Sequence, residues 1–244
     1  MPPSSPSLNG PLVVGVADSP VTLTACAAQA PRDRPFDLVE ARVDLFATQS
    51  LDPDTQAACA QLEATGTPVL VTIRSTAQGG RYAGAEVARL ALFRESLRVA
   101  SWIDVEDDAA IAGEVARLVA ARPGAQLIVS HHDFQRTPPL DELLRVVDRA
   151  QALAPAAIAK VATAVTSDAD RTVLRALLAQ RPARTAVIGM GDDNFRIELA
   201  AAGSLLAYGF VGSATAPGQT SAQTLHARLL EAAPAYAARR AAAI

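Results

Sequence analysis

The sequence predicts an α/β protein built as a single-domain (β/α)8 TIM barrel. Short apolar runs begin near residues 12, 38, 69, 102, 127, 158, 186 and 206, separated by helix-sized intervals. The chain's out-of-place charges fall at the ends of those runs, where barrel enzymes keep their sites. The length agrees, since 244 residues, half of them hydrophobic, can bury one core undivided. The rival is a doubly wound open sheet. It would show a phosphate-binding turn after the first strand, and Ala17-Asp18-Ser19-Pro20 is not one.

The first strand is 12–17, and 23–30 reads as a short helix stopped by Pro31. Residues 37–45 alternate as a second strand. Leu38, Glu40, Arg42 and Asp44 share one face, and Val39, Ala41, Val43 and Leu45 share the other. Charges pointing into a barrel are unusual without a function. Asp52 opens a helix that Gly66 stops. The third strand, 69–74, carries Thr72 and Arg74 on one face and leads into a polar loop with two glycines. A helix over 85–99 precedes the fourth strand, 102–106, with Asp104 and Glu106 on one face. Asp107-Asp108 is expected to open a helix to residue 121, because acids favour helix N-termini. The fifth strand is 127–131. Thr137-Pro138-Pro139 then caps a helix with the stripe Leu140, Leu143, Leu144 and Val147. The sixth strand is 157–162, and Ser167-Asp168 begins a helix ending at Pro182. The seventh strand is 185–190, followed by a short helix at 197–202, an eighth strand at 205–211 and a final helix at 221–233. Residues 1–11 are expected to be a disordered lead-in, 12–234 the barrel and 235–244 a flexible tail.

The formal net charge is −3 and no basic block stands out, which argues against a nucleic-acid partner. A locally positive pocket for an anionic small molecule remains compatible with that charge. No run of 18 apolar residues exists, so no membrane span is expected, and the N-terminus lacks a signal-peptide pattern. Cys26 and Cys59 lie far apart with no CxxC, which predicts two free thiols in a reducing, cytoplasmic compartment.

Glu40, Arg42, Arg74, Asp104, Glu106, His132, Lys160 and Arg196 sit at or just beyond strand ends, so a barrel converges them on one rim. Lys160 is the only charge in the run 156–162. Burial and neighbouring cations such as Arg42 or Arg196 favour its neutral amine, which can attack a ketone and form a Schiff base. The bland alternative is a structural lysine paired with Glu40 or Glu106. A histidine on the preceding strand would move protons, with Glu106 or Asp104 fixing its tautomer. His131 and His132 compete for that role, because adjacent strand residues face opposite ways and periodicity does not choose between them. A metal site from His131, His132 and Asp133 is disfavoured, since adjacent residues rarely converge on one ion.

These stretches resemble the type I 3-dehydroquinate dehydratases, the Schiff-base-forming class of the shikimate pathway. The resemblance rests on Glu40-Ala41-Arg42-Val43-Asp44, Thr72-Ile73-Arg74-Ser75 with Gly79-Gly80, and Ile103-Asp104-Val105-Glu106. It continues through Ser130-His131-His132-Asp133-Phe134, Ala159-Lys160-Val161-Ala162, Gly189-Met190-Gly191 with Arg196, and Ala216-Pro217-Gly218-Gln219. The resemblance implies a homodimeric (β/α)8 lyase with no metal or organic cofactor, dehydrating 3-dehydroquinate to 3-dehydroshikimate. It implies that Lys160 forms the imine and that His132, the second of the pair, moves the protons, with Glu106 behind it. Glu40, Arg42 and Arg74 would hold ring hydroxyls. Arg196 and Gln219 would clamp the substrate carboxylate under a mobile loop. Thr215 keeps the hydroxyl of a serine usual there, and Asp104 and Met190 are further candidates. There are departures. Gln78 stands where the family commonly has glutamate, which removes the charge from one substrate hydroxyl contact. Phe195 rather than serine precedes the clamp arginine, and His131 replaces asparagine or tyrosine. Two other functions fit some of the same residues: a class I aldolase-like lyase using the same lysine, or a degenerate barrel kept as a binding or regulatory module.

Overall fold

A computed structural model of the protein describes residues 8, 10–215 and 219–242. The strands are β1 (Leu12–Ala17), β2 (Leu38–Arg42), β3 (Val69–Thr72), β4 (Trp102–Glu106), β5 (Gln126–Asp133), β6 (Ile158–Ala164), β7 (Thr185–Met190) and β8 (Leu206–Phe210). They form one parallel sheet of eight strands, in the order β7-β6-β5-β4-β3-β2-β1-β8. The helices between them are α1 (Pro20–Ala28), α2 (Pro53–Ala64), α3 (Glu86–Ser96), α4 (Ala112–Ala120), α5 (Leu140–Leu153), α6 (Asp168–Gln180), α7 (Asp193–Ala201) and α8 (Ala222–Ala232). The expected (β/α)8 barrel is the observed fold.

The strands read as continuous apolar runs because both of their faces are buried. Val13, Val39, Val71, Ile103, Val129, Val161, Val187 and Ala207 face outward into the layer beneath the helices. Leu12, Val14, Leu38, Leu70, Trp102, Ile128, Ile158, Ala186 and Leu206 face inward and fill the barrel's lower interior. Closure between β7 and β8 uses a side chain as well as the backbone. The Leu205 N–H donates to the Thr185 carbonyl at 3.0 Å. The Ser204 hydroxyl accepts from the Val187 N–H at 2.8 Å and donates to the Val187 carbonyl at 3.0 Å. A serine just before the strand thus performs part of the ladder's work.

Some boundaries differ from expectation, each for a physical reason. The second strand stops at Arg42, and residues 43–45 turn into a 3-10 helix. That turn brings the Asp44 carboxylate onto the Arg42 guanidinium in a two-pronged contact of 2.9 and 2.8 Å. The fourth helix begins at Ala112 instead of Asp107. Asp107 is occupied elsewhere, by His131 at 3.1 Å and Arg149 at 2.8 Å. The first helix starts at Pro20, capped by Ser19, and β5 runs on to Asp133.

A flexible tail from 235 was expected, yet Pro234–Ala242 is a ninth helix, α9. Tyr236 is buried and its hydroxyl meets His226 Nδ1 at 2.6 Å. Arg239 and Arg240 reach Asp37 at 3.0 and 3.3 Å, just before β2. Of the expected lead-in, residues 1–7 and 9 lie outside the described residues, whereas Pro11 is buried and Leu8 packs on the barrel floor. Cys26 and Cys59 are free and buried, and burial pushes their thiols up to about 11 and about 12. Removing the closure hydroxyl with Ser204→Ala leaves the Val187 N–H without its acceptor. The variant should lose about 1–3 kcal/mol of stability, read as a lower urea midpoint at unchanged slope.

Candidate active site

Strand parity assembles the site at the C-terminal ends of the strands. Ser130 pairs with Lys160 across β5 and β6, and His132 pairs with Ala162. Ile158 and Ala162 belong to the inner cluster, so Lys160, Ser130 and His132 share the inner face. His131 turns outward to Asp107, and the strand register thereby separates the two histidines.

Lys160 is nearly fully buried, with its Nζ 3.1 Å from Asp104 Oδ2 and 4.1 Å from the centre of the Tyr208 ring. Asp104 is the hub. Its Oδ1 accepts from Arg74 at 2.8 Å and from the Ser130 hydroxyl at 2.6 Å, and Ser130 in turn accepts from Arg74 at 2.6 Å. Burial opposes ionisation of Asp104, but Arg74, Lys160 and the Ser130 hydroxyl outweigh it and hold its carboxyl down to about 2. Burial, reinforced by Arg74, brings the Lys160 amine below its ordinary value against the pull of Asp104 and Glu40.

Burial also pushes His132 well below the ordinary imidazole range, aided by Arg74, Lys160 and Arg42. Its partner is neither of the two expected carboxylates. Gln78 Oε1 accepts from the His132 backbone N–H at 3.0 Å and lies 3.1 Å from Nδ1. The Gln78 amide nitrogen donates to Asp108 at 2.6 Å. Gln78 reaches this place because the next residue, Gly79, adopts a left-handed turn at φ +78° against the Phe134 ring, where a side chain would collide. Glu106, expected behind the histidine, instead accepts from the Ser75 N–H at 2.8 Å and pairs with Arg89, with Arg74 at 3.6 Å. It fastens the loop after β3 to α3.

The other expected residues gather around one cavity of about 580 Å³, its mouth included. Glu40, Arg42, Arg74, Gln78, His132, Lys160, Met190, Arg196, Thr215 and Gln219 all line it, whereas Asp104 and Glu106 stand behind the wall. Glu40 accepts from Thr72 at 2.6 Å. Arg196 is buried and donates to the Tyr208 carbonyl at 3.1 Å, and its Nε has no partner among the described residues. Gln219 Oε1 accepts from the Thr215 N–H and hydroxyl at 2.8 and 3.0 Å. The motif residues 216–218 between them lie outside the described residues. Tyr208 and the bridging Ser130 are further members of the site that were not among the expected residues. Both were readable by parity, from Leu206 and His132 two positions away. Arg89 and Asp108 gave no such signal, since each is an ordinary polar residue of a helix or loop. Among the described residues, no cluster of three potential metal ligands occurs, and no helix is long and apolar enough to cross a membrane.

The sequence model of the type I 3-dehydroquinase family matches residues 17–232. This chain belongs to that family of enzymes. It is 36% identical over 194 residues to the 3-dehydroquinate dehydratase of Methanosarcina barkeri, covering 75% of this chain and 80% of that protein. It is also 36% identical over 165 residues to the Pyrobaculum aerophilum 3-dehydroquinate dehydratase, covering 66% of this chain but only 53% of the relative. The crystal structure of the 3-dehydroquinate dehydratase from Aquifex aeolicus VF5 superposes with a TM-score of 0.78 at 25% identity, over 90% of this chain and 98% of that one. Gln78, where a substrate hydroxyl contact was expected, touches the histidine itself.

Asp104→Asn leaves Arg74 and Lys160 buried without their shared anion. It should cost about 3–5 kcal/mol at neutral pH, measured by urea unfolding. Asp104's folded value near 2 lies below the ordinary 3.8. The part of its contribution that depends on its charge is therefore complete above pH 3.8 and fades as pH falls toward and through 2, so the gap between wild type and variant should narrow by about 2 kcal/mol over that window.

Proposed function

We propose that this enzyme dehydrates 3-dehydroquinate to 3-dehydroshikimate through an imine on Lys160, with His132 moving the protons. The observation that carries the reading is a buried amine sharing one cavity with an imidazole that burial and nearby cations keep neutral. The substrate comes from the likeness to 3-dehydroquinate dehydratases.

The chemistry follows from that pairing. A neutral Lys160 amine adds to the substrate's C3 ketone, and loss of water gives a protonated imine. The imine is an electron sink, so the C2 proton becomes acidic and passes to the free nitrogen of His132. The electron pair left at C2 then expels the C1 hydroxyl, which departs as water with a proton returned by the imidazolium. Hydrolysis of the conjugated imine releases the enone and restores the lysine, for a net loss of one water. Asp104 holds the positive charge that the nitrogen carries as an ammonium and again as an iminium. Arg196 is a buried guanidinium with no carboxylate in pairing distance among the described residues, which suits it to the substrate's carboxylate. Glu40, Arg42 and Arg74 offer the hydrogen bonds a polyhydroxylated ring requires.

Incubation with 3-dehydroquinate should produce the ultraviolet absorbance of a conjugated enone. Borohydride added during turnover should fix one ligand mass on Lys160. Cleavage of an aldol without that absorbance would instead identify an aldolase, and absence of both product and adduct would identify a binding module. Lys160→Ala should abolish the adduct and nearly all turnover. His132→Ala should slow turnover by about 10²-fold or more, while His131→Ala, on the outer face, should not.

A further inference from the structure

His132 does not rest on a carboxylate, and what replaces the carboxylate is a three-member chain. The Gln78 side chain lies between two groups that each accept only one orientation of its amide. Asp108 Oδ1, 2.6 Å from the amide nitrogen, can only accept. The His132 backbone N–H, 3.0 Å from the amide oxygen, can only donate. The amide must therefore turn its NH2 toward Asp108 and its oxygen toward His132. That same oxygen lies 3.1 Å from Nδ1, and an amide oxygen cannot donate, so Nδ1 must carry the hydrogen. We infer that Asp108 is a positioning residue: by holding the Gln78 amide it fixes the proton of His132 on Nδ1 and leaves the Nε2 lone pair free for the substrate.

The two residues are matched. A carboxylate at 78 would meet the Asp108 carboxylate head-on at hydrogen-bond distance, whereas the amide satisfies both neighbours. Gln78 is buried and Asp108 is solvent-exposed. The anion thus stands one side chain away from the imidazole, in water, and it acts through orientation instead of through its charge on the ring. The proposal rests on His132 being the proton carrier of the reaction proposed above, and it deepens that reading by naming what sets the tautomer.

The test is the ring-nitrogen spectrum of the full chain labelled with 15N-histidine. The sequence has three histidines, and the His132 signals are those missing from His132→Ala. The wild type should show a protonated Nδ1 and a bare Nε2 on His132. Asp108→Asn can still accept from the Gln78 amide and should keep that pattern. Asp108→Lys presents a donor, demands the amide oxygen and should erase the fixed Nδ1–H form, with kcat lowered about tenfold or more. A wild-type proton on Nε2, or an Asp108→Lys spectrum identical to wild type, would overturn the assignment. Borohydride capture on Lys160 in the wild type reports separately on the dehydratase reading. Capture with an unmoved Asp108→Lys spectrum defeats the role of Asp108 alone. A moved spectrum without capture upholds that role and defeats the reaction.

Discussion

Lys160 can occupy the oily interior of the barrel only because Asp104 stands 3.1 Å away, and Asp104 can stand there only because Arg74 and Ser130 hold its other oxygen. Each buried charge in this wall requires the next. Arg74 also faces Glu106, Glu106 is paired with Arg89, and Arg89 ends on Glu86 at the edge of α3. Signs alternate along the whole series, from the barrel centre to the helix layer. A single buried ion pair gives little net stability, because desolvation offsets most of its attraction. A connected series whose members are also held by Ser75, Ser130 and Ile73 gains geometric definition. The amine sits where the wall puts it.

The series stops short of His132. Gln78, uncharged, is the imidazole's neighbour, while the cations Arg74, Lys160 and Arg42 act on it from within. One side of the cavity is therefore an ionic wall, and on the other a neutral amide stands between the imidazole and the exposed Asp108 carboxylate. Lys160 and His132 must both start neutral, the amine by shedding a proton and the imidazole by never taking one, and burial together with Arg74 drives both that way. Arg196 lines the same cavity, buried, with the Tyr208 carbonyl as its hydrogen-bond partner among the described residues.

Much of this was legible from the residues. The strands 12–17, 102–106 and 185–190 fall where the apolar runs place them, because strands covered on both sides leave little ambiguity. Alternation turned Glu40 inward and put Asp104 on one face with Glu106, and the apolar run around Lys160 signalled its burial. What could not be read was a partner joined through a loop. Glu106 and Gln78 are both polar and both near a strand end. Only the left-handed turn at Gly79 decides which of them passes beneath the histidine. Asp107 looked like a helix opener because acids favour that position, yet two basic side chains from β5 and α5 claim it first. The Ala-rich end looked featureless for a related reason. Its anchors, Pro11 and Asp37, are about two hundred positions earlier in the chain.

That anchoring lies at the floor of the barrel. Asp37 accepts from the Val13 N–H and from Arg239 and Arg240, so the beginnings of β1 and β2 and the helix α9 are stapled at one carboxylate. The chemistry sits at the opposite end. Such a division lets the mouth loops be exchanged, lengthened or retuned toward a new ketone while the foundation keeps the eight strands in register.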